Sequence, residues 1–375
     1  MIQRIMLIAG ETSGDIHGAG VVRELKKLNP SIEIFGIGGE KMQSEGMQLV
    51  YHVRELSFMG FLEVIKHLPL IRSVEKTLEQ LLKHKKPDAV LLIDYPGFNL
   101  RFARKVKKYG IKVFYYISPQ IWAWKKNRIK KIKTFVNKMF VVFPFEKNIY
   151  EKANVPVEFV GHPLLEEIQI EFSKEQFCKR YDIAPTKKIL AVLPGSRKQE
   201  IEKLFSVMVR AANEIKKYEE IEIAVGVSPT ISLEFYEKHL PPNIEVKFVE
   251  HATHEFMKYA HCAIVTSGTA TLETALLETP MVIVYKTSLF TYLLAKNFLQ
   301  IKNIGLANIV AEKTIVPELI QSQVTVENIA NAFNNVIFSE EKYKKIKQEL
   351  SVVKEKLGTR GASERVAKAI METRV

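Results

Sequence analysis

The residues of this chain best suited to chemistry lie in a turn of small side chains, Ser267-Gly268-Thr269-Ala270-Thr271-Leu272-Glu273, which follows the apolar run 262–265. Small side chains let a ligand approach the backbone, and the first N–H groups of the helix predicted to start there have no intrahelical partner. The positive end of the helix dipole strengthens this anion site. Glu273 lies one turn into the helix, so its carboxylate could reach a sugar hydroxyl beside a bound phosphate.

A second turn of the same kind follows the apolar run 189–193. It reads Pro194-Gly195-Ser196-Arg197 and opens a polar amphipathic stretch. Its arginine is suited to pair with phosphate oxygens. Either turn alone is equally consistent with an ordinary connection between a strand and a helix. The two together indicate a site for a nucleoside diphosphate.

Asp94 ends a third apolar run, 89–93, and begins the segment Asp94-Tyr95-Pro96-Gly97-Phe98-Asn99. Ligands bind at the carboxyl ends of parallel strands, and a carboxylate placed there can act as a general base. An aspartate that only forms the turn would give the same pattern. Aspartate occurs only at positions 15, 88, 94 and 182, so the chain has no paired-aspartate metal clamp. We therefore expect no metal ion, and cationic groups must balance the diphosphate charge.

The first apolar run, 5–9, leads into a polar loop that opens a helix, Gly10-Glu11-Thr12-Ser13-Gly14-Asp15-Ile16-His17. This loop lacks the G-x-G-x-x-G spacing, so it does not predict a dinucleotide cofactor. It suits a hydroxyl-rich or phosphorylated ligand. Helix capping by Ser13 or Asp15 is the structural alternative.

The elements that position these residues alternate between strand and helix along the chain. Strands are predicted at 5–9, 33–37, 89–93, 112–116 and 138–142, and a second series begins near positions 189, 221, 244, 262 and 281. This alternation is typical of parallel sheets covered by helices, and 375 residues favour two domains. The predicted fold class is α/β, with two doubly wound Rossmann-like domains facing a cleft. Their predicted bounds are 1–164 and 165–340, and C-terminal helices at 341–375 pack on the first domain or on a second subunit.

Composition narrows the classes of partner. The formal net charge is +13, with a basic cluster between positions 125 and 133, which favours an anionic membrane surface or nucleic acid. No RNA-binding aromatic motif, KH loop or zinc finger occurs, so no nucleic acid is expected. The only cysteines are Cys178 and Cys262, and no apolar run reaches the ~20 residues of a membrane span, which favours a cytoplasmic location.

Eight segments, in this order and spacing, carry a resemblance to a known family. They are Ala9-Gly10-Glu11-Thr12-Ser13-Gly14-Asp15, Met59-Gly60-Phe61, Ile93-Asp94-Tyr95-Pro96-Gly97-Phe98-Asn99, Ser118-Pro119-Gln120-Ile121-Trp122-Ala123-Trp124, Phe159-Val160-Gly161-His162-Pro163, Leu193-Pro194-Gly195-Ser196-Arg197, Ser267-Gly268-Thr269-Ala270-Thr271-Leu272-Glu273 and Gly305-Leu306-Ala307-Asn308. The chain resembles, nearly end to end, the lipid-A-disaccharide synthases, which are inverting glycosyltransferases of the two-Rossmann (GT-B) architecture.

The resemblance implies a reaction without cofactors. UDP-2,3-diacylglucosamine would donate its sugar to the 6-hydroxyl of 2,3-diacylglucosamine 1-phosphate at the inner face of the cytoplasmic membrane, giving the β-1,6 lipid A disaccharide 1-phosphate and UDP. Asp94 would be the base, and Glu273 would bind ribose hydroxyls. Arg197, the helix starts at Ser196 and Ser267–Thr271, and Asn308 would complete the UDP site. The acceptor side would use the loop residues Gly10, Glu11, Ser13, Gly14, Asp15 and His17.

Both implied substrates carry acyl chains, so we expect a peripheral membrane surface. The predicted membrane-facing residues are Phe61, Leu62, Val64, Ile65 and Leu68, although a buried helix would be equally apolar. The sequence leaves open whether the chain forms a homodimer. Three alternatives to the reaction also remain: another GT-B enzyme acting on a lipid-linked sugar, a UDP-sugar epimerase, and a basic nucleotide- or RNA-binding protein.

Overall fold

The computed structural model describes residues 2–56, 68–122, 127–287, 303–334 and 339–373. The chain divides into two compact units. The first contains Met1–Glu166 together with Leu357–Val375, and the second contains Glu167–Lys356. Each unit has its own parallel sheet, so the prediction of two parallel-sheet α/β domains is confirmed.

The first unit is built on a seven-stranded sheet in the order β3-β2-β1-β4-β5-β6-β7, and every pair is parallel. Its strands are β1 Arg4–Ala9, β2 Glu33–Gly38, β3 Gln48–His52, β4 Ala89–Ile93, β5 Lys112–Tyr116, β6 Lys138–Val141 and β7 Val157–Phe159. All five residues of the central strand β4 are buried. A strand covered on both faces needs a continuous apolar sequence, which is what the run 89–93 provides.

Within the described residues, seven helices connect these strands or follow them. They are α1 Thr12–Leu28, α2 Glu40–Ser44, α3 Leu68–Lys85, α4 Pro96–Lys108, α5 Arg128–Phe135, α6 Pro144–Lys152 and α7 Leu164–Glu167. A short 3₁₀ turn, Val53–Glu55, follows β3. Because β1 and β4 are neighbours at the centre of the sheet, the loops after them lie side by side at its carboxyl edge.

The second unit contains a six-stranded parallel sheet in the order β10-β9-β8-β11-β12-β13. Its strands are β8 Lys188–Leu193, β9 Ile221–Gly226, β10 Lys247–Val249, β11 Cys262–Thr266, β12 Met281–Tyr285 and β13 Glu318–Ile320. Strands β8 and β11 are hydrogen-bonded neighbours, with Leu193 opposite Val265. The two turns singled out in the sequence therefore leave adjacent strands of one sheet.

Of the helices described in the second unit, two are long and the others are short. They are α8 Lys174–Arg180, α9 Lys198–Lys216, α10 Leu233–His239, α11 Thr253–Tyr259, α12 Thr269–Leu276, α13 Leu306–Ala311, α14 Val326–Ala332 and α15 Glu340–Lys356. A 3₁₀ turn, Gln321–Gln323, follows β13. Within the ranges described above, no helix is long and apolar enough to cross a membrane.

The C-terminal segment 341–375 is divided between the two units. Helix α15 belongs to the second unit, whereas the last helix, α16 Ala362–Met371, packs against α1 in the first. The carboxylate of Glu166 accepts hydrogen bonds from the backbone N–H groups of Gly361 and Ser363, at 3.0 and 3.2 Å, and so caps α16. A Cβ atom on Gly20 of α1 would lie 2.3 Å from Ser363 Oγ, so these helices need a glycine to pack this closely.

Candidate active site

Asp94 lies at the carboxyl end of β4, where the chain turns sharply into α4. Its backbone N–H still belongs to the sheet and donates to Tyr116 O at 2.9 Å. Asp94 and Tyr95 then both have left-handed backbone conformations, with φ of 46° and 47°. L-residues other than glycine seldom adopt this conformation, and two in succession form a turn that the surrounding structure must hold in place.

The environment of the Asp94 carboxyl raises its pKa to about 6, mainly through burial and then through the negative charge of Glu11. A backbone hydrogen bond from Tyr95 and the nearby charges of His17 and Arg128 oppose this rise. A general base works best when its pKa lies near the operating pH. Asp94 is ionised at neutral pH and is a stronger base than an exposed aspartate.

The loop after β1 is divided between exposed polar residues and buried structural ones. Glu11 and Ser13 are exposed at the start of α1, and the side chain of the N-cap residue Glu11 makes no capping hydrogen bond. Gly10 lies beneath Tyr95, because a Cβ atom added there would be 2.2 Å from the ring carbon Cδ1. Gly14 is buried against Ala9, with the equivalent distance 3.2 Å to Ala9 Cβ.

Asp15 has a role that differs from the predicted acceptor contact. It is only 3% exposed, and its carboxylate accepts hydrogen bonds from the backbone N–H groups of Gly39, Lys41 and Met42 at 2.7, 3.1 and 3.0 Å. Asp15 therefore caps α2 rather than its own helix. His17, one turn further along α1, is half-buried and close enough to Asp94 and His162 to influence the pKa of both.

A buried polar cluster, not predicted from the sequence, lies at the carboxyl ends of β5 and β6. The carboxyl of Glu146 is buried and accepts hydrogen bonds from Trp122 Nε1 at 3.2 Å and from Phe143 N at 3.3 Å. Ser118 Oγ lies 2.8 Å from the Tyr150 hydroxyl. Burial raises the pKa of Glu146 to about 8, so it is uncharged at neutral pH. The cluster fixes the loop that the sequence marks as Ser118-Pro119-Gln120-Ile121-Trp122.

His162 is another buried group near this edge, and it is neutral. Burial, and secondarily the charge of His17, lowers its pKa to about 3. Its Nδ1 accepts a hydrogen bond from Leu164 N at 3.2 Å, so the proton of the neutral ring lies on Nε2. The backbone N–H of His162 donates to Leu357 O at 3.0 Å, so the segment Gly161-His162-Pro163 contacts the C-terminal part of the first unit, and the neutral ring of His162 supplies no charge.

In the second unit, the turn after β8 presents Arg197 to solvent. Gly195 has φ of 105°, and a Cβ atom there would be 2.2 Å from Glu200 Oε2. The same carboxylate accepts the Ser196 N–H at 3.1 Å, while Arg197 Nη1 lies 3.5 Å from Glu200 Oε1. The Arg197 side chain is 61% exposed. Because Glu200 already accepts the Ser196 N–H, the guanidinium is the group that this turn offers to an anion.

The turn after β11 offers backbone rather than side-chain groups. Gly268 and Thr269 are exposed at the start of α12, and Gly268, the N-cap residue, has no side chain that could cap this helix. Thr271 Oγ1 donates to Gly268 O at 2.8 Å and accepts from Leu306 N at 3.2 Å, and Ser267 Oγ donates to Ile304 O at 3.2 Å. Ser267 and Thr271 therefore shape the turn, and Gly268 and Thr269 present its backbone.

Glu273 faces the same edge from within α12. Burial raises its pKa to about 7, and the negative charge of Glu167 adds to the rise. His254 Nε2 lies 3.9 Å from Glu273 Oε2, and His254 Nδ1 accepts a hydrogen bond from Gln169 N at 3.4 Å. A carboxyl with this pKa can both donate and accept hydrogen bonds near neutral pH, as a pair of sugar hydroxyls requires.

Asn308, predicted as part of the donor site, is used entirely inside the fold. It is fully buried, and its Nδ2 donates to Val316 O at 2.9 Å and to Glu318 Oε1 at 2.7 Å. Its Oδ1 accepts from Ile315 N at 2.8 Å and from Val316 N at 3.0 Å. An amide side chain has two donors and two acceptor positions, so none remains for a ligand.

The predicted membrane-facing residues Phe61, Leu62, Val64 and Ile65 lie outside the described residues. Leu68, the last of that set, begins α3 and is half-buried. No group of three or more histidine, cysteine, aspartate or glutamate residues that could hold a metal ion occurs within the described ranges.

Solved structures to which this chain is similar include glycosyltransferases and epimerases. The UDP-GlcNAc 2-epimerase from Neisseria meningitidis bound to UDP-GlcNAc matches with a TM-score of 0.67 at 15% identity, over 99% of this chain and 100% of that one. The calicheamicin glycosyltransferase matches with a TM-score of 0.64 at 14% identity, over the whole of both chains. These similarities show a GT-B fold, which is the class that the two parallel sheets define.

Sequence similarity identifies the family within that class. A family model described as lipid-A-disaccharide synthetase matches residues 5–372. The lipid-A-disaccharide synthase of Geobacter sulfurreducens is 39% identical over 98% of this chain and 97% of its own length. That of Coxiella burnetii (strain CbuG_Q212) is also 39% identical, with the same coverage. The chain belongs to the lipid-A-disaccharide synthase family and is a glycosyltransferase.

Proposed function

We propose that the chain transfers 2,3-diacylglucosamine from UDP-2,3-diacylglucosamine to the 6-hydroxyl of 2,3-diacylglucosamine 1-phosphate. The products are the β-1,6-linked lipid A disaccharide 1-phosphate and UDP. Family membership supports the reaction, and the observation that carries the mechanism is the placement of Asp94 at the carboxyl end of β4 with a pKa raised to about 6.

Asp94 is the general base in this proposal. An inverting transfer is a single displacement, so it needs one group to accept the proton of the attacking hydroxyl and no second carboxylate as nucleophile. The 6-hydroxyl loses its proton to Asp94 as its oxygen bonds to the anomeric carbon, and the bond from that carbon to the UDP oxygen breaks. Because burial raises the pKa of Asp94, the carboxylate takes the proton more readily than an exposed aspartate would.

The donor diphosphate is held at the carboxyl edge of the second sheet. Arg197 supplies a charged donor, and the exposed backbone of Gly268 and Thr269 supplies N–H groups at the positive end of α12. These groups stabilise the negative charge that develops on UDP as it leaves, without a metal ion. Glu273 binds the ribose hydroxyls, and Asn308 supports the site indirectly by holding the segment 315–318.

The acceptor lies against the loop after β1. Glu11 and Ser13 are its exposed polar residues, and His17 lies one turn further along α1 near Asp94. Gly10 and Gly14 keep the loop close to Tyr95 and Ala9, so the polar side chains stay beside the base. The loop is suited to the hydroxyl and phosphate groups of a sugar phosphate.

The acyl chains of both substrates require contact with a membrane, and we assign this to the apolar segment around residues 61–68 at the inner face of the cytoplasmic membrane. The net charge of +13 adds attraction to anionic lipids.

Leu62→Ser combined with Ile65→Ser should reduce binding to anionic phospholipid vesicles without lowering the melting temperature. Leu28→Ser, at an apolar residue 44% exposed in the first unit, is the control. A large fall in melting temperature would instead place Leu62 and Ile65 in the core, since truncating buried aliphatic side chains costs about 2–5 kcal/mol.

One incubation tests the reaction itself. The purified protein is given the diacyl UDP-sugar with and without the diacyl sugar phosphate, and the products are separated and identified by mass spectrometry. We expect the disaccharide 1-phosphate and UDP in equal amounts, and only when the acceptor is present. Rearrangement of the donor sugar in the absence of acceptor would contradict the proposal and favour an epimerase. Transfer only to a different acceptor would favour another lipid-linked glycosyltransferase.

A further inference from the structure

The backbone carbonyl of Asp94 is held by two buried side chains from different elements. The Tyr115 hydroxyl, on β5, donates to Asp94 O at 2.6 Å, and Asn99 Nδ2, in the first turn of α4, donates to the same oxygen at 2.7 Å. Both residues are fully buried. Burial also keeps the pKa of Tyr115 far above its ordinary value, so the hydroxyl stays protonated and remains a donor at any pH at which the protein functions.

These two hydrogen bonds act where the backbone conformation is energetically unfavourable. Asp94 and Tyr95 are both left-handed, and neither is a residue that adopts this conformation without cost. The Asp94 carbonyl lies between them and has left the ladder of the sheet. Asn99 Nδ2 also lies 3.1 Å from Ile93 O, so one amide spans the last residue of β4 and the first residue of the turn.

The direction of the Asp94 side chain follows from this turn. Rotation about the N–Cα bond of Asp94 moves its Cβ and its carbonyl group together, so holding the backbone of this turn sets the direction of the Cα–Cβ bond from which the carboxyl group extends. A base displaced by about 1 Å can lose 10²-fold in rate, and a catalytic group needs supporting residues to hold it in place. The neighbouring strand and the following helix each provide one support here, and both are rigid.

We infer that Tyr115 and Asn99 are positioning residues for the glycosyl transfer: they hold the Asp94 backbone in its left-handed turn and so direct the carboxylate at the acceptor hydroxyl. This inference rests on the proposed role of Asp94 as the base. Neither residue contacts substrate in this scheme. Each acts only through Asp94, and this distinguishes them from residues that bind the donor or the acceptor.

Tyr115→Phe tests the inference because it removes one hydroxyl and leaves the buried ring. We expect kcat to fall at least tenfold, with the KM values for both substrates and the affinity for UDP changed less than twofold. The acid limb of the kcat–pH profile, near pH 6 in the wild type, should move to lower pH, since a carboxyl released from the turn becomes more hydrated. Tyr116→Phe is the matched control. It is an equally buried tyrosine whose side chain points to the opposite face of the same strand, and it should leave kcat and the profile unchanged.

A double-mutant cycle separates failure of this inference from failure of the proposed base. If Tyr115 acts through Asp94, Tyr115→Phe should have less than a twofold effect in an Asp94→Asn background, although it costs tenfold in the wild type. Equal effects in both backgrounds, or a wild-type kcat profile for Tyr115→Phe, would overturn the inference. Full activity of Asp94→Asn would instead overturn the role of Asp94. If Tyr115→Phe does not fold, Asn99→Ser replaces it in the same cycle, with the same expected and contradicting results.

Discussion

The carboxyl edges of the two sheets look alike in sequence but differ in physical character. At the first edge, the functional group is a largely buried carboxyl in a strained turn, braced by fully buried neighbours. At the second edge, an exposed arginine and an exposed helix start face solvent, whereas Glu273 is largely buried. A base gains strength from loss of water, whereas an anion site must leave its cation and N–H groups accessible. The burial of each edge therefore follows the chemistry we assign to it.

The largest expected effect is on the first edge. Asp94→Asn keeps the shape of the side chain but removes the proton acceptor, so kcat should fall by about 10²–10⁴-fold. The wild-type kcat should also decline below pH 6, where Asp94 becomes protonated, and this limb should be absent in the variant. Steady-state kinetics from pH 5 to pH 9 would measure both.

Asp88→Asn is the control for this experiment. Asp88 lies just before the same strand, and its carboxylate accepts hydrogen bonds from Gln3 N and Arg4 N at 2.8 and 2.9 Å. Its loss should lower the melting temperature but leave the pH dependence of kcat intact. If Asp94→Asn retains more than a tenth of wild-type kcat, Asp94 is not the base, and Glu11 becomes the next candidate because it is an exposed carboxylate whose charge acts on Asp94.

Substitution at the carboxyl edge of the second sheet should change the affinity for UDP. Arg197→Ala removes a charge-assisted contact to diphosphate worth about 1.5–3 kcal/mol, so the Kd for UDP should rise more than tenfold. Arg210→Ala changes an exposed arginine in α9, the helix that follows Arg197, and should leave the Kd for UDP unchanged. Isothermal calorimetry would decide, and an unaltered affinity in Arg197→Ala would remove this residue from the donor site.

A smaller effect is expected from the buried cluster beside the first edge. The pKa of Glu146 is raised from 4.5 to about 8, so the stability that its protonated form provides is complete below pH 4.5 and is lost as the pH rises through 8. The free energy of unfolding of the wild type should therefore fall between about pH 4.5 and pH 8, by an amount on the order of 1–3 kcal/mol for a buried charge. Glu146→Gln should flatten this fall in denaturant titrations. Parallel curves for the two proteins would mean that Glu146 does not titrate in this range.

The smallest effect is expected from removal of metal ions. Since Arg197 and the start of α12 are assigned to the diphosphate, turnover in EDTA should equal turnover without it. Loss of activity in EDTA that Mg²⁺ or Mn²⁺ restores would show that the charge at the second edge is balanced in another way.

Much of the fold could be predicted because its central strands are buried on both faces. The runs 5–9, 89–93, 189–193 and 262–265 are continuous and apolar, and they coincide with β1, β4, β8 and β11. The strands Gln48–His52, Val157–Phe159 and Glu318–Ile320 were not predicted. They lie at sheet edges and are largely half-buried, so their sequences lack a continuous apolar run.

The placement of the candidate site could be predicted, because Asp94 and Arg197 lie in the turns that follow the buried strands β4 and β8; their roles stay predictions. The contacts of a side chain could not be predicted where a tertiary partner decides them. Asp15 caps a helix whose N–H groups lie 24 to 27 residues away in sequence. The amide group of Asn308 makes all of its hydrogen bonds with the segment 315–318. Glu146 gave no signal beyond its charge, because its burial and its hydrogen bond from Trp122 arise only in the folded protein.

The central claim is that the two edges have separable roles, turnover at the first and donor binding at the second. The most direct test is the Kd for UDP of purified Asp94→Asn, measured by calorimetry beside the wild type. The account predicts that the two Kd values agree within twofold, although kcat of the variant falls at least a hundredfold. A Kd that rises in proportion to the loss of kcat would contradict it, because Asp94 would then contribute to donor binding rather than to proton transfer.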